Sequence, residues 1–111
     1  MKINPGMEQE YQQFTAANSK DYYNRAVVRY MERWAAMMET AIDGGATVAQ
    51  AAAGAEHEAD TEAITGFQYG CAVGALARFW THGEELRQWH NHRYDYDGQG
   101  TVNPAILTFG E

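Results

Sequence analysis

The sequence predicts a mainly α fold: a small helical domain of two long helices and a short alanine-rich helix, with a short β appendage from the termini. Three observations predict it. Apolar residues recur at alternating steps of three and four over two long stretches, and residues suited to helix caps precede them. Strand-like composition is confined to the chain ends. The chain has 111 residues, with 15 Asp and Glu against 8 Lys and Arg and a formal net charge of −7. That length fits one domain spanning residues 1–111, well below the size at which chains usually split. With 45% apolar and 13% aromatic residues, it is too hydrophobic to stay disordered. A domain this small hides only about two-thirds of its unfolded surface, so a homo-oligomer is expected.

Taken in order, Asn4-Pro5-Gly6 predicts an extended start and a turn. Tyr11, Phe14 and Ala17 give weak helical spacing over 8–17. Asn18-Ser19 then offers a break and an N-cap for a stronger helix running from Asp21 to about Ile42, with an apolar stripe of Tyr23, Val27, Tyr30, Trp34, Met37 and Ala41. Gly44-Gly45 ends it. Thr47-Val48-Ala49-Gln50 has capping-box spacing and opens the alanine-rich helix, which is expected to reach about Glu58. A third helix, capped by Asp60 or Thr61, is expected to run without interruption to about Asn91. Its core positions are Ile64, Phe67, Cys71, Ala75, Leu76, Phe79, Leu86 and Trp89. Gly66, Gly70 and Gly74 fall at i, i+4 and i+8, at a cost of about 1 kcal/mol each relative to Ala, and predict a close approach. The partner would be the alanine-rich helix, a symmetry mate or a ligand. Thr101–Phe109 reads as a short strand, held to a sheet edge by Pro104 and able to pair with the Lys2-Ile3-Asn4 start or a neighbouring protomer.

Charge and composition exclude several functions. A net-negative surface repels a nucleic-acid polymer, which attracts broad basic faces. No segment approaches the roughly 20 apolar residues of a membrane helix, and no signal-peptide core opens the chain, so a soluble protein of the host-cell cytoplasm is expected. The single cysteine, Cys71, sits among small residues and reads as a buried, inert thiol. Asp95, Asp97, Gln99 and Gly100 imitate a calcium loop, but position 12 is Ile106 where a bidentate glutamate is needed. The histidines lack the spacings of zinc or di-iron motifs, so neither a metal nor another cofactor is expected. No nucleophile motif occurs, and the only serine, Ser19, is better explained as a cap. A non-catalytic protein follows.

All six arginines fall in two windows, 25–33 and 78–93. Arg25, Arg29 and Arg33 stand at i, i+4 and i+8, a cationic row that asks for anions. Carboxylates such as Glu32 or Glu39, or those of a neighbouring protomer, would satisfy it; so would a phosphate-bearing ligand gripped bidentately. On an uninterrupted third helix, Trp80, Glu84, Arg87 and Asn91 form a second stripe with Arg93, Tyr94 and Tyr96 following. A planar base, a ribose and a phosphate could find partners there, although surface pairs at a helix end explain the same pattern. Candidate ligand contacts are therefore Trp80, Arg87, Asn91, Arg93 and Tyr94, with Arg25 and Arg29 from the row.

The stretch Leu76-Ala77-Arg78-Phe79-Trp80-Thr81-His82-Gly83-Glu84-Glu85-Leu86-Arg87-Gln88-Trp89-His90-Asn91, followed by Val102-Asn103-Pro104-Ala105-Ile106-Leu107-Thr108, resembles small phage proteins. The family it resembles is the phage Thoeris anti-defence sponge proteins of the first type, over roughly residues 47–109. The resemblance implies an oligomer that sequesters, without cleaving, the cyclic ADP-ribose-type signal made by a defence TIR enzyme. Some members also hold cyclic oligonucleotides at a separate site. A few arginines, an aromatic stack and polar groups suffice for such a ligand, and a basic surface is not required. The alternative is an acidic protein-binding inhibitor, for example an anti-CRISPR whose carboxylates imitate DNA phosphates.

Overall fold

The computed structural model describes residues 1–94. It is mainly α, with five helices among those residues: α1 (Glu8–Ala17), α2 (Tyr22–Asp43), α3 (Val48–Ala55), α4 (Gly66–Phe79) and α5 (Gly83–Tyr94). The strand expected over 101–109 and the calcium-like turn lie outside the described residues. The long helix α2 is the central element. It packs against α3 and α4, while α5 covers α4 and touches α3.

Sequence dictates each boundary. Asp21, in extended backbone, accepts from the Tyr23 and Asn24 amides and caps α2, so the cap lies two residues beyond the expected Asn18-Ser19. Both Thr47 and Thr65 form complete capping boxes, with Gln50 and Gln68 returning the bond to the cap backbone. Gln68 therefore starts α4 at Gly66, where the sequence pattern suggested Asp60 or Thr61. The intervening 56–65 segment is a connector instead, and Ala63 within it holds φ of 52°.

Val27, Met31, Trp34, Ala35 and Met38 of α2 are buried against Ala51 and Ala52 of α3, Cys71, Leu76 and Phe79 of α4, and Leu86 of α5. Burial pushes the Cys71 thiol up to about 11, as expected of an inert core thiol. Gly70 and Gly74 are buried, whereas Gly66 faces open space. As a helix, α4 packs mainly on α2 and α5.

The expected third helix is two helices. Trp80 leaves α4 in extended backbone (φ −86°, ψ 143°) and forms an antiparallel bridge with Ile3. The Asn4 amide donates to the Phe79 carbonyl at 2.8 Å, and the Thr81 amide to the Lys2 carbonyl at 3.0 Å. The chain start thus pairs with the α4–α5 connector. Gly83 lets α5 turn back tightly: a Cβ there would lie 2.0 Å from the Leu76 carbonyl oxygen and 2.8 Å from Ala77 Cα. No larger residue fits without moving backbone.

Candidate functional site

The break after Phe79 takes apart the Trp80-Glu84-Arg87-Asn91 stripe, whose spacing assumed one continuous helix. Trp80 is only 1% exposed, and its indole N–H donates to Glu39 at 2.9 Å. Burial favours the neutral form of Glu39. The Trp80 and Lys2 N–H donors and the chain terminus outweigh it and hold the carboxyl below its ordinary range. Arg87 is taken up by Glu84, with Nε donating at 3.0 Å. Asn91 is buried. Arg93 lies 5.5 Å over the Trp89 ring and 3.5 Å from a Glu56 oxygen. Tyr94 is the last residue of α5. Trp80 and Asn91 are thus buried, while Arg87 and Arg93 meet carboxylates of the chain.

The arginine row is real but largely satisfied by its own protein. Arg25 reaches back to the Ser19 and Lys20 carbonyls, at 3.2 and 3.4 Å, and lies 5.9 Å over the Tyr22 ring. Arg29 grips both oxygens of Glu62, at 2.7 and 2.9 Å, a bidentate pair that raises the arginine and lowers the glutamate through the shared hydrogen bonds. The connector supplies the counter-anion that the sequence reading sought from Glu32, Glu39 or a neighbour. Arg33 forms no ion pair among the described residues.

Two adjoining clefts open where α2 meets this connector. One, of about 290 Å³, lies between Arg29, Tyr30, Arg33 and residues 59–64. The other, of about 320 Å³, is lined by Tyr30, Tyr69, Glu56, His57, Asp60 and the start of α4 at Thr65 and Gly66. Tyr30, Asp60 and Ile64 border both. Glu56 is 4% exposed and organises the second cleft: its carboxylate accepts from the Tyr69 hydroxyl at 2.8 Å, and its carbonyl from the Tyr30 hydroxyl at 3.0 Å. Charge accounting is informative. The first cleft sets Arg29 and Arg33 against Glu32, Asp60 and Glu62, and the second holds Glu56 and Asp60 beside His57. Carboxylates outnumber guanidinium groups in both.

Three large aromatic residues near the second cleft are exposed. Tyr22, Tyr23 and Phe67 are 69%, 39% and 58% exposed. The Gln68 side-chain amide donates to the Tyr23 carbonyl at 3.1 Å, which sets the first turn of α4 on the first turn of α2 and brings these rings to one end of the molecule. The sequence pattern puts Tyr23 and Phe67 in the core stripes and Asp60 at a helix cap, and it gives Tyr22 and Tyr69 no role. The missed signal is position: Tyr22, Tyr23 and Phe67 stand within the first two residues of their helices, where an apolar stripe runs past the element it packs on.

The molecule is a small α-helical protein with an acid-lined double cleft and three exposed aromatic residues at the first turns of α2 and α4. Its family can be given directly. A family model described as "Type I Thoeris inhibitor Tad4" matches residues 1–111, and the chain belongs to that family. It is a phage anti-defence protein directed at the Thoeris system, as the resemblance implied. No match is found among curated proteins or solved structures. Among the described residues no helix is long and apolar enough to cross a membrane, and no group of three or more His, Cys, Asp or Glu could hold a metal ion.

Proposed function

We propose that this Thoeris inhibitor acts without catalysis, by docking onto a protein of the Thoeris system through the end of the molecule that bears Tyr22, Tyr23 and Phe67. The observation that carries the reading is the grouping of three exposed rings beside acid-lined clefts. Exposed aromatic residues are the usual anchors of protein interfaces, because they bury large areas at little entropic cost. The surrounding carboxylates favour a partner with a basic rim and speed its encounter. Among the two readings of the sequence, this is the acidic protein-binding inhibitor, with a Thoeris protein in place of the CRISPR example.

Sequestration of a cyclic ADP-ribose-type nucleotide is the second reading, with cyclic oligonucleotides as a further ligand class. Arg33, standing in the first cleft without an ion pair among the described residues, is the feature that favours it. The excess of carboxylates around it opposes a diphosphate. Calorimetry separates the two readings. Under docking, the purified chain binds the Thoeris TIR enzyme or its effector, and the Tyr22→Ala, Phe67→Ala pair weakens that binding by about tenfold or more. Under sequestration, it binds the cyclic nucleotide alone, Arg33→Ala weakens that binding, and the nucleotide is recovered unaltered. Native mass spectrometry of the same samples reports protomer number.

A further inference from the structure

The second cleft has a property the docking patch alone does not explain. One side of it is a tyrosine pair, Tyr30 and Tyr69, whose rings pack together at 6.0 Å between centroids, and it is acidic at its floor and its mouth. At the floor, Glu56 is already shared among the Tyr69 hydroxyl and the flanking Arg93 and His57. At the mouth, Asp60 accepts one hydrogen bond, from the Ile64 amide at 3.1 Å, and forms no ion pair among the described residues. It also borders the first cleft with Arg29 and Arg33, neither of which forms an ion pair with it. An aromatic side and two carboxylates, with no guanidinium among the lining residues, attract a cation and disfavour an anion or a purely apolar group. Space is available too, since Gly66 at the border has open room where a side chain would stand.

Thr65 and Gly66 border this cleft and Phe67 follows directly, so a protein seated on the aromatic patch would lie across the cleft mouth. We infer that the cleft between Tyr30, Tyr69 and Asp60 receives an arginine or lysine side chain of the docked Thoeris protein. Its aliphatic stem passes the tyrosines, and its charged head meets Asp60 and, beneath it, Glu56. The inference rests on the docking reading and deepens it: the patch supplies the apolar anchor, and the cleft supplies the charge-specific one. Arg93, 3.5 Å from Glu56 Oε1, compensates that buried carboxylate.

Asp60→Asn tests it, because the amide oxygen can still accept from Ile64 while the charge is gone. Affinity for the purified Thoeris partner should fall by about tenfold at low salt, and the gap from the unsubstituted protein should narrow as salt rises. Asp60→Glu, which keeps the charge, should stay within about threefold, and all variants should unfold at the same temperature as the parent. Unchanged affinity in Asp60→Asn, in a protein whose binding the Tyr22→Ala, Phe67→Ala pair removes, overturns the cation pocket and leaves docking intact. An equal loss in Asp60→Glu and Asp60→Asn also overturns it. Failure of the unsubstituted protein to bind either the TIR enzyme or the effector removes the docking reading and the pocket with it.

Discussion

The two ends of α4 carry large aromatic residues in opposite states. At its start Phe67 is 58% exposed; just past its last turn Trp80 is 1% exposed. Backbone needs are met at both. Thr65 and Gln68 satisfy the first turn with a capping box, and at the other end the Phe79 carbonyl accepts from Asn4 while Trp80 bridges to Ile3. The difference is that the chain start lies over Trp80 and Glu39 takes its indole proton, whereas the Phe67 ring stays largely exposed beside Tyr22 and Tyr23. An exposed ring on a well-capped helix is therefore no sign of a poorly formed end. It is a finished surface that another molecule can complete.

The covered end is where substitutions should cost most. Trp80→Ala removes a buried indole and leaves the Glu39 carboxylate short of a donor, and should lower unfolding free energy by about 3–5 kcal/mol. Urea denaturation measures it; a loss below about 1 kcal/mol would mean that the chain start, and not the ring, closes this end. Gly83→Ala should cost about 1–3 kcal/mol, because its Cβ meets the Leu76 carbonyl and can be relieved only by shifting α5. An unchanged urea midpoint would show that the α4–α5 turn has slack.

Much of this was legible in the residues. The stripe over α2 and the Thr47-Gln50 cap are strong local signals: the cap forms as expected, and Val27, Tyr30 and Trp34 of the stripe are buried while Tyr23 is exposed. The break between α4 and α5 was not legible, since Phe79, Trp80 and Leu86 keep helical spacing across it. What breaks the helix is a long-range partner, the Ile3 segment, which competes for the Trp80 backbone. The candidate site suffered directly, because the Trp80-to-Asn91 stripe existed only on a continuous helix. The arginine row was legible as a demand for anions. Its supplier was not, as Glu62 reaches Arg29 only through the 56–65 connector.

Acid should weaken the covered core before it alters the exposed patch. Burial lowers His90 from its ordinary 6.5 to about 4. Between those values the unfolded chain binds a proton that the folded chain refuses, so stability rises with pH across the window and falls as pH drops from about 6.5 toward 4. Glu39, held below the ordinary carboxylate range, adds a loss of the same sign at still lower pH. Between pH 7 and 5 the loss from His90 should be on the order of 1 to 2 kcal/mol, read from urea midpoints. His90→Phe, which keeps a ring against Tyr69 and removes the titration, should flatten that slope; an unchanged slope would assign the effect elsewhere.

The smallest stability effect should come from the Tyr22→Ala, Phe67→Ala pair. Both rings are more than half exposed, so their removal takes little apolar area out of the folded protein, and unfolding free energy should change by no more than about 0.5 kcal/mol. Yet this is the pair expected to abolish Thoeris inhibition in infected cells, since interface rings contribute on binding what they do not contribute on folding. The contrast with Trp80 is then complete within one helix: one aromatic residue whose loss costs the fold, and another whose loss costs only the partner. Retained inhibition in the Tyr22, Phe67 variant at normal protein abundance would break that division and move the docking surface elsewhere. A loss of inhibition accompanied by a lowered urea midpoint would instead make Phe67 a core residue, as its position in the helical stripe first suggested.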